Sequence, residues 1–158
     1  MRYLFTLFSL IAFLSSSTAQ QPYNPQADAN KEIQTAVKKA AQDTKHVLLI
    51  IGGNWCPWCV KLNNYIKEET EVAELLAKEF EVVKVNYSKE NKNVEVLTEL
   101  EFPQRFGFPV LVVLDKNGKR IHTQNSAYLE QDKGYSKEKV TGFLKKWTSG
   151  AIDPANYK

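Results

Sequence analysis

The chain of 158 residues contains only two cysteines and a single methionine. So few cysteines exclude a small scaffold that is held together by many disulfides. A large excess of charge of one sign is also lacking, because the chain has 21 Lys and Arg residues and 18 Asp and Glu residues. No basic block is dense enough to predict nucleic-acid binding. The 43% hydrophobic and 25% charged fractions exclude a disordered or fibrous chain. The length predicts one domain, with or without a short processed segment.

Long apolar runs are scarce as well, and the one at the N-terminus is short. Met1 and Arg2 precede an almost wholly apolar stretch, Tyr3 to Leu14, and small polar residues follow up to Ala19. This three-part pattern predicts a secretory signal peptide over residues 1–19. A retained membrane anchor or a buried helix is less favoured, because a membrane span needs about 20 apolar residues. The sequence therefore predicts export to the periplasm or the extracellular space, with no stable membrane insertion after cleavage.

The rest of the chain divides into a lead-in, one domain and a tail. Residues 20–27 contain two prolines and no apolar period, which predicts a flexible lead-in. Residues 28–150 alternate between helical apolar spacing and short continuous apolar runs, which predicts a domain of helices and strands. Asp28 and Ser136 are the expected N-caps of its first and last helices. Residues 151–158 are expected to form a C-terminal tail.

The predicted strands decide the fold class. They are Val47–Ile51, Glu81–Asn86, Pro109–Leu114 and Arg120–Gln124. Helical patterns separate the first three strands, which predicts parallel pairing, whereas the last two strands are expected to form a hairpin. The sequence thus predicts an α/β fold with a mixed central β-sheet and helices on both faces.

The two cysteines, Cys56 and Cys59, lie between a predicted buried strand and a predicted helix. Pro57 suits the first helical turn, because that position needs no N–H donor. The N-terminus of a helix carries partial positive charge, which favours the thiolate, the form of cysteine that attacks a disulfide. Two intervening residues bring the sulfurs close enough to close a small ring. We expect the Cys56 sulfur to face solvent and the Cys59 sulfur to lie beneath it.

Three other interpretations of the pair are less favoured. A disulfide between positions this close constrains little of the unfolded chain, which argues against a purely structural bond. A metal site usually needs four ligands, and the other soft candidates, His46 and His122, are not spaced as a ligand pair. Two reduced bystander cysteines do not suit an exported protein. Redox chemistry is therefore favoured, with no metal and no cofactor other than the Cys56–Cys59 disulfide.

Two short motifs lie next to predicted core strands. Trp55-Cys56-Pro57-Trp58-Cys59 follows one strand, and Gly107-Phe108-Pro109-Val110 enters another. They resemble the active-site motif and the cis-proline loop of the thioredoxin superfamily, and the surrounding sequence is similar to that of exported bacterial members. The resemblance covers about residues 28–147. It implies a thioredoxin-like fold, a cis Pro109 beside the cysteines, and backbone pairing of an extended substrate next to that proline. It also implies a substrate groove formed by Trp55, Pro57, Trp58, Phe108 and Pro109, with Phe108 facing the two tryptophans.

The sequence departs from the family pattern at two places. Many thioredoxins have a buried acid six positions before the first cysteine, where this chain has Ile50, so no carboxylate is evident to take the proton from Cys59. Lys84 matches a lysine that the family keeps near that acid, and it is either a helper in proton transfer or a solvated strand residue. The second departure is the Pro57-Trp58 dipeptide, which lacks the histidine that strongly oxidising members often carry. This favours a reductant.

The residues together predict an exported thiol–disulfide oxidoreductase. Cys56 would be the nucleophile and Cys59 the resolving cysteine, with reduction of protein disulfides favoured over oxidation or isomerisation. The expected partners are proteins or peptides with disulfides or thiols, and a membrane or soluble redox protein that regenerates the dithiol. Two alternatives stay open, namely a peptide-binding module with little redox turnover and a protein that transfers metal through its cysteines.

Overall fold

The structure is a computed structural model and describes residues 21–158. The predicted signal peptide, residues 1–19, therefore lies outside the described residues. The helices are α1 (Ala29–Asp43), α2 (Pro57–Glu68), α3 (Thr70–Glu79), α4 (Val94–Glu99) and α5 (Lys137–Lys146). The strands are β1 (His46–Gly52), β2 (Phe80–Asn86), β3 (Val110–Leu114), β4 (Arg120–Asn125), β5 (Glu130–Gln131) and β6 (Gly134–Tyr135). Short 3₁₀ turns occupy Gly150–Ile152 and Pro154–Tyr157 in the predicted tail.

Four strands form a mixed sheet in the order β2-β1-β3-β4, which confirms the predicted fold class. β1 and β2 are parallel, with His46 opposite Phe80, and β3 and β4 form the expected antiparallel hairpin. The prediction that β3 runs parallel to the earlier strands is wrong, because β3 is antiparallel to β1. β3 begins at the end of the sheet where β2 stops, because Gly52 lies opposite Asn86 and the adjacent Ile51 lies opposite Val110. The short helix α4 does not carry the connecting segment back along the sheet, so β3 runs antiparallel to β1.

Alternate residues of the central strands divide the core between the two faces of the sheet. Leu49 and Ile51 of β1 pack with α1 and α4 on one face. Leu48 and Ile50 pack with α2, α3 and α5 on the other face. Because both faces are covered, every residue of β1 and β3 is buried, as the continuous apolar runs predicted.

The two predicted N-caps begin their helices as expected. The Asp28 carboxylate accepts a hydrogen bond from the backbone N–H of Lys31 at the start of α1. The Ser136 hydroxyl accepts one from the backbone N–H of Lys139 at the start of α5. Each cap satisfies one N–H group that has no partner within its helix.

The lead-in is fixed to the domain at Tyr23, which differs from the flexible segment that we expected. Tyr23 is only 2% exposed. The Asn54 side chain holds its backbone from both sides, since Oδ1 accepts from Tyr23 N–H at 3.1 Å and Nδ2 donates to the Tyr23 carbonyl at 2.7 Å. Burial of an aromatic ring together with two hydrogen bonds offsets the conformational entropy that this polar, proline-containing segment loses when it is ordered.

Within residues 21–158, no helix has both the length and the apolar character to cross a bilayer.

Candidate active site

Cys56 and Cys59 are joined by a disulfide at the start of α2, with their Cα atoms 5.2 Å apart. Cys56 is the N-cap, and its Sγ accepts a hydrogen bond from the backbone N–H of Cys59 at 3.2 Å. Pro57 occupies the first position of the helix, as predicted. The Cys56 sulfur thus lies where helix N–H groups stabilise negative charge, which favours its thiolate once the disulfide opens.

Cys56 is less accessible than the sequence predicted. Cys56 is 4% exposed and Cys59 is fully buried, so the expectation that the first sulfur faces solvent is wrong for the disulfide form. The cause is packing, since Tyr23 shares a buried cluster with both cysteines, and Trp58 and Phe108 cover that cluster. Little of the Cys56 surface is therefore open to a reaction partner in the disulfide form.

The peptide bond between Phe108 and Pro109 is cis, as the resemblance implied. Gly107, just before it, has a φ of 88°, a conformation that favours glycine. This turn places the Phe108 carbonyl oxygen 3.7 Å from Cys56 Sγ. The turn thus brings the cis-proline loop, distant in sequence, against the cysteine pair.

Trp55 and Phe108 form an aromatic wall beside the disulfide. Trp55 is 57% exposed, and its ring meets Phe108 edge-on with the ring centroids 5.5 Å apart. The Trp55 Nε1–H group donates to the Tyr87 carbonyl at 2.6 Å, and the Tyr87 ring stacks on Phe108 at 4.7 Å. Our sequence analysis missed Tyr87. Its signal was available, because an aromatic residue directly after β2 lies near the end of the parallel strand β1, where the cysteine motif begins.

Trp58 lies against Tyr135, whereas the resemblance implied that it faces Phe108. Its ring meets the Tyr135 ring edge-on at 5.6 Å, and the Lys61 ammonium lies 4.2 Å from the centroid of the Trp58 ring. Pro57, Lys61 and Tyr135 line a cavity of about 540 Å³ on this side of the motif. A separate cavity of about 410 Å³ is lined by Trp55 and Tyr87. The two tryptophans of the motif thus pack against different aromatic partners, Phe108 and Tyr135.

Lys84 is half-buried and engaged with the helix that carries the cysteines. In the parallel register it lies opposite Ile50, the residue in place of the family's acid. Its ammonium group donates to the Asn63 side-chain oxygen, and Asn63 is buried one helical turn after Cys59. Burial, and then the neighbouring Lys67, lowers the pKa of Lys84. Lys84 is thus not a fully solvated strand residue, while its role in proton transfer stays a prediction.

Tyr23 is a second residue of the site that our sequence analysis missed. A Cβ atom placed on Gly52 would lie 2.5 Å from Cys59 Sγ and 2.9 Å from the Tyr23 hydroxyl oxygen. The tyrosine hydroxyl and the buried sulfur therefore lie against the same backbone position. Burial raises the pKa of Tyr23 far above its ordinary value, so its hydroxyl keeps its proton.

The histidines lie away from the cysteines. His46 begins β1, at the opposite end of the strand from the cysteine motif, and its Nδ1 lies 2.8 Å from the Trp147 carbonyl oxygen. His122 stacks on the Trp147 ring at 4.2 Å. Within residues 21–158, no group of three or more His, Cys, Asp or Glu residues is arranged to hold a metal ion.

Known proteins resemble this chain in sequence and in structure. The model of a family described as thioredoxin-like matches residues 28–116. The chain is 28% identical over 113 residues to the disulfide bond reductase DsbH of Chlamydia pneumoniae, and this match covers 64% of the chain and 66% of that relative's length. A solved structure described as a disulphide isomerase from Xylella fastidiosa Temecula1 is 29% identical, with a TM-score of 0.72 over 81% of this chain and 97% of that one. A DsbH oxidoreductase structure has 21% identity and a TM-score of 0.52, covering 92% of this chain and 94% of that one, which supports the fold alone.

The fold agrees with these relatives, and this chain carries a disulfide at the start of α2 beside a cis-proline loop. A domain of this family with a Cys-X-X-Cys pair is suited to exchange disulfides, and this agreement argues against an idle peptide-binding module or a metal carrier. The chain therefore belongs to the thioredoxin-like family, and its described domain is a thiol–disulfide oxidoreductase domain.

Proposed function

We propose that this protein is exported and reduces disulfide bonds in other proteins. The observation that carries the proposal is the position of Cys56, which caps α2 and lies 3.7 Å from the Phe108 carbonyl oxygen of the cis-proline loop. The helix N-terminus supplies the charge that activates a thiolate. The loop supplies backbone next to the sulfur, where an extended substrate segment can pair.

The reaction needs two exchanges of sulfur partners. The Cys56 thiolate attacks one sulfur of the substrate disulfide, so that a mixed disulfide forms and the other substrate sulfur leaves as a thiolate. The Cys59 thiolate then attacks the Cys56 sulfur, which releases the second substrate thiolate and closes the Cys56–Cys59 disulfide. Two electrons pass from the protein to the substrate. A membrane or soluble dithiol protein must return them before the next cycle.

Trp55, Pro109 and Phe108 form the substrate groove in this proposal. Trp55 and Phe108 provide an exposed aromatic edge beside the disulfide, and Pro109 is buried beneath the loop. Pro57 lines the cavity next to Tyr135, and the Trp58 ring packs edge-on against the Tyr135 ring. Because Cys56 itself is so little exposed, the groove must guide an extended segment whose disulfide projects toward the sulfur.

Reduction is favoured over oxidation by the residues between the cysteines and by one relative. The Pro57-Trp58 dipeptide has no histidine to stabilise the reduced form, and the Chlamydia pneumoniae relative is named a disulfide bond reductase. The reduction potential of the pair in a dithiothreitol buffer tests this direction. A reduction potential of about −270 mV supports a reductant, and one of about −120 mV would identify an oxidant instead.

A trapping experiment tests the mechanism. Cys59→Ser should accumulate covalent mixed disulfides with client proteins, because the second exchange is blocked. Cys56→Ser is the matched control and should trap none. The unaltered protein should catalyse insulin reduction by dithiothreitol. Failure of Cys59→Ser to form any mixed disulfide, together with no insulin reduction, would refute the proposed activity.

Export rests on the sequence pattern of residues 1–19. The intact mass of the protein recovered from the periplasm or the medium tests it. Loss of those residues supports export with cleavage, and a mass that retains them would contradict it.

A further inference from the structure

A tyrosine hydroxyl lies beside the buried sulfur of the disulfide. Tyr23, Cys56 and Cys59 form one buried cluster, and the Tyr23 ring is delivered to it by the segment before α1. The hydroxyl oxygen and Cys59 Sγ lie 2.9 Å and 2.5 Å from the same point above Gly52, and the sum of these distances is the upper limit of their separation. The hydroxyl and the sulfur are therefore neighbours in the same buried cluster.

The position suits a need that the rest of the site leaves open. Cys59 is fully buried, and burial in apolar surroundings raises the pKa of a thiol and slows its attack on the mixed disulfide. The neighbouring residue of β1 is the apolar Ile50, and the Lys84 ammonium opposite it donates to the Asn63 oxygen. The Tyr23 hydroxyl is a hydrogen-bond donor within the cluster that contains Cys59.

We propose that the Tyr23 hydroxyl donates a hydrogen bond to the Cys59 thiolate and so makes the resolving cysteine competent to attack. The inference rests on the proposed exchange mechanism and adds a residue to it. When the mixed disulfide is present, Cys59 loses its proton to solvent and its sulfur becomes an anion. The hydroxyl proton then points at that anion, and hydrogen bonds to charged groups are stronger than those between neutral groups.

Tyr23 is held for this role by its backbone. Asn54, two residues before Cys56, donates to the Tyr23 carbonyl and accepts from the Tyr23 N–H, so the backbone that carries the ring is fixed beside the cluster. The high pKa of the buried phenol keeps it a donor throughout the working pH range. The other titratable groups around it are the Cys56 sulfur in the same cluster and the Tyr135 phenol, whose pKa is also raised by burial.

The experiment separates the two exchanges. The reduced protein is mixed with Ellman's reagent in a stopped-flow instrument at a series of pH values. The first release of thionitrobenzoate reports attack by Cys56, and the second reports displacement by Cys59. Tyr23→Phe removes the hydroxyl and keeps the ring. Tyr65→Phe is the matched control, because it removes another buried phenol hydroxyl, one without a hydrogen-bond partner in the described part of the chain.

In Tyr23→Phe, the second release should slow about tenfold, and its pH profile should move up by about one unit, which corresponds to one charge-assisted hydrogen bond. The first release should persist in both variants, and Tyr65→Phe should match the unaltered protein in both phases. An unchanged second phase in Tyr23→Phe, or an equal shift in Tyr65→Phe, would overturn the proposal. Loss of the first phase in the unaltered protein would instead refute the proposed function.

A second measurement needs no change at Tyr23. In Cys56→Ser, the Cys59 thiol is alone and can be titrated by thiolate absorbance, while tyrosine labelled with ¹³C at Cζ reports on each hydroxyl. The Tyr23 signal should move at the pH where Cys59 ionises, and the Tyr65 signal should not. A Tyr23 signal that stays constant through the Cys59 titration would contradict the hydrogen bond.

Discussion

Gly52→Ala is expected to destabilise this protein, whereas the same substitution at Gly142 is expected to stabilise it. A Cβ at Gly52 would lie 2.5 Å from Cys59 Sγ and 3.2 Å from Cys59 Cβ, besides its contact with the Tyr23 hydroxyl. Neither neighbour is the free end of a flexible chain, because Cys59 is fixed by its disulfide and Tyr23 is a buried ring. Overpacking of this kind costs about 1–3 kcal/mol.

Gly142 is the matched control for this change. It lies within α5, and a Cβ placed there meets no atom within 4 Å. Alanine in the interior of a helix is more stable than glycine by about 0.5–1 kcal/mol. The two variants should therefore differ in unfolding free energy by about 1.5–4 kcal/mol, with opposite signs relative to the unaltered protein.

Urea unfolding of the oxidised proteins, followed by circular dichroism, measures both values. The cost of Gly52→Ala should fall by more than about 0.5 kcal/mol when Tyr23→Phe is also present, because one of the three opposing atoms is gone. A Gly52→Ala protein that is as stable as the unaltered one would refute the close packing of Gly52, Cys59 and Tyr23.

Other variants probe the groove, the buried lysine and a helix cap. Trp55→Ala should raise KM for a protein disulfide several-fold, because the exposed ring forms the aromatic edge with Phe108, and should lower the unfolding free energy by only about 1 kcal/mol through loss of the hydrogen bond to the Tyr87 carbonyl; equal KM values in insulin reduction would argue against a groove. The difference in unfolding free energy between the unaltered protein and Lys84→Met should rise as the pH increases toward 10.5, because the folded state binds the Lys84 proton less tightly than the unfolded state does. A difference that stays flat or falls with pH in urea titrations would contradict the lowered pKa of Lys84. Asp28→Ala should cost about 1 kcal/mol by loss of its hydrogen bond to Lys31 N–H, and Asp28→Asn should recover most of it in thermal unfolding.

The elements with a strong apolar pattern could be predicted from the sequence. The continuous apolar run of β1 reflects burial on both faces of the sheet, and the helical spacing of apolar residues in α5 reflects burial on one face of that helix. Both elements appear in the structure close to their predicted bounds. The direction of β3 could not be read from its own residues. The direction of β3 depends on whether the segment between β2 and β3 crosses the length of the sheet. The polar sequence around the short helix α4 does not predict this.

The cysteine pair was predictable from its chemistry and its place between a strand and a helix, whereas the cis-proline loop was predicted from the resemblance to the thioredoxin superfamily. The surroundings of the pair were less so. Tyr23 lies in a segment with no apolar period, and its burial depends on two hydrogen bonds to Asn54, more than thirty residues away. The position of Tyr87 next to Trp55, and the packing of Trp58 against Tyr135, likewise depend on contacts between distant parts of the chain.

The anchoring of Tyr23 has a practical consequence for anyone who trims this protein. The matched family region begins at residue 28, five positions after the tyrosine. A recombinant version that starts there would open a space the size of a phenol ring beside Cys59, and water would enter it. Reduction potentials and exchange rates measured on such a shortened protein would describe a more hydrated centre than that of the chain that keeps Tyr23.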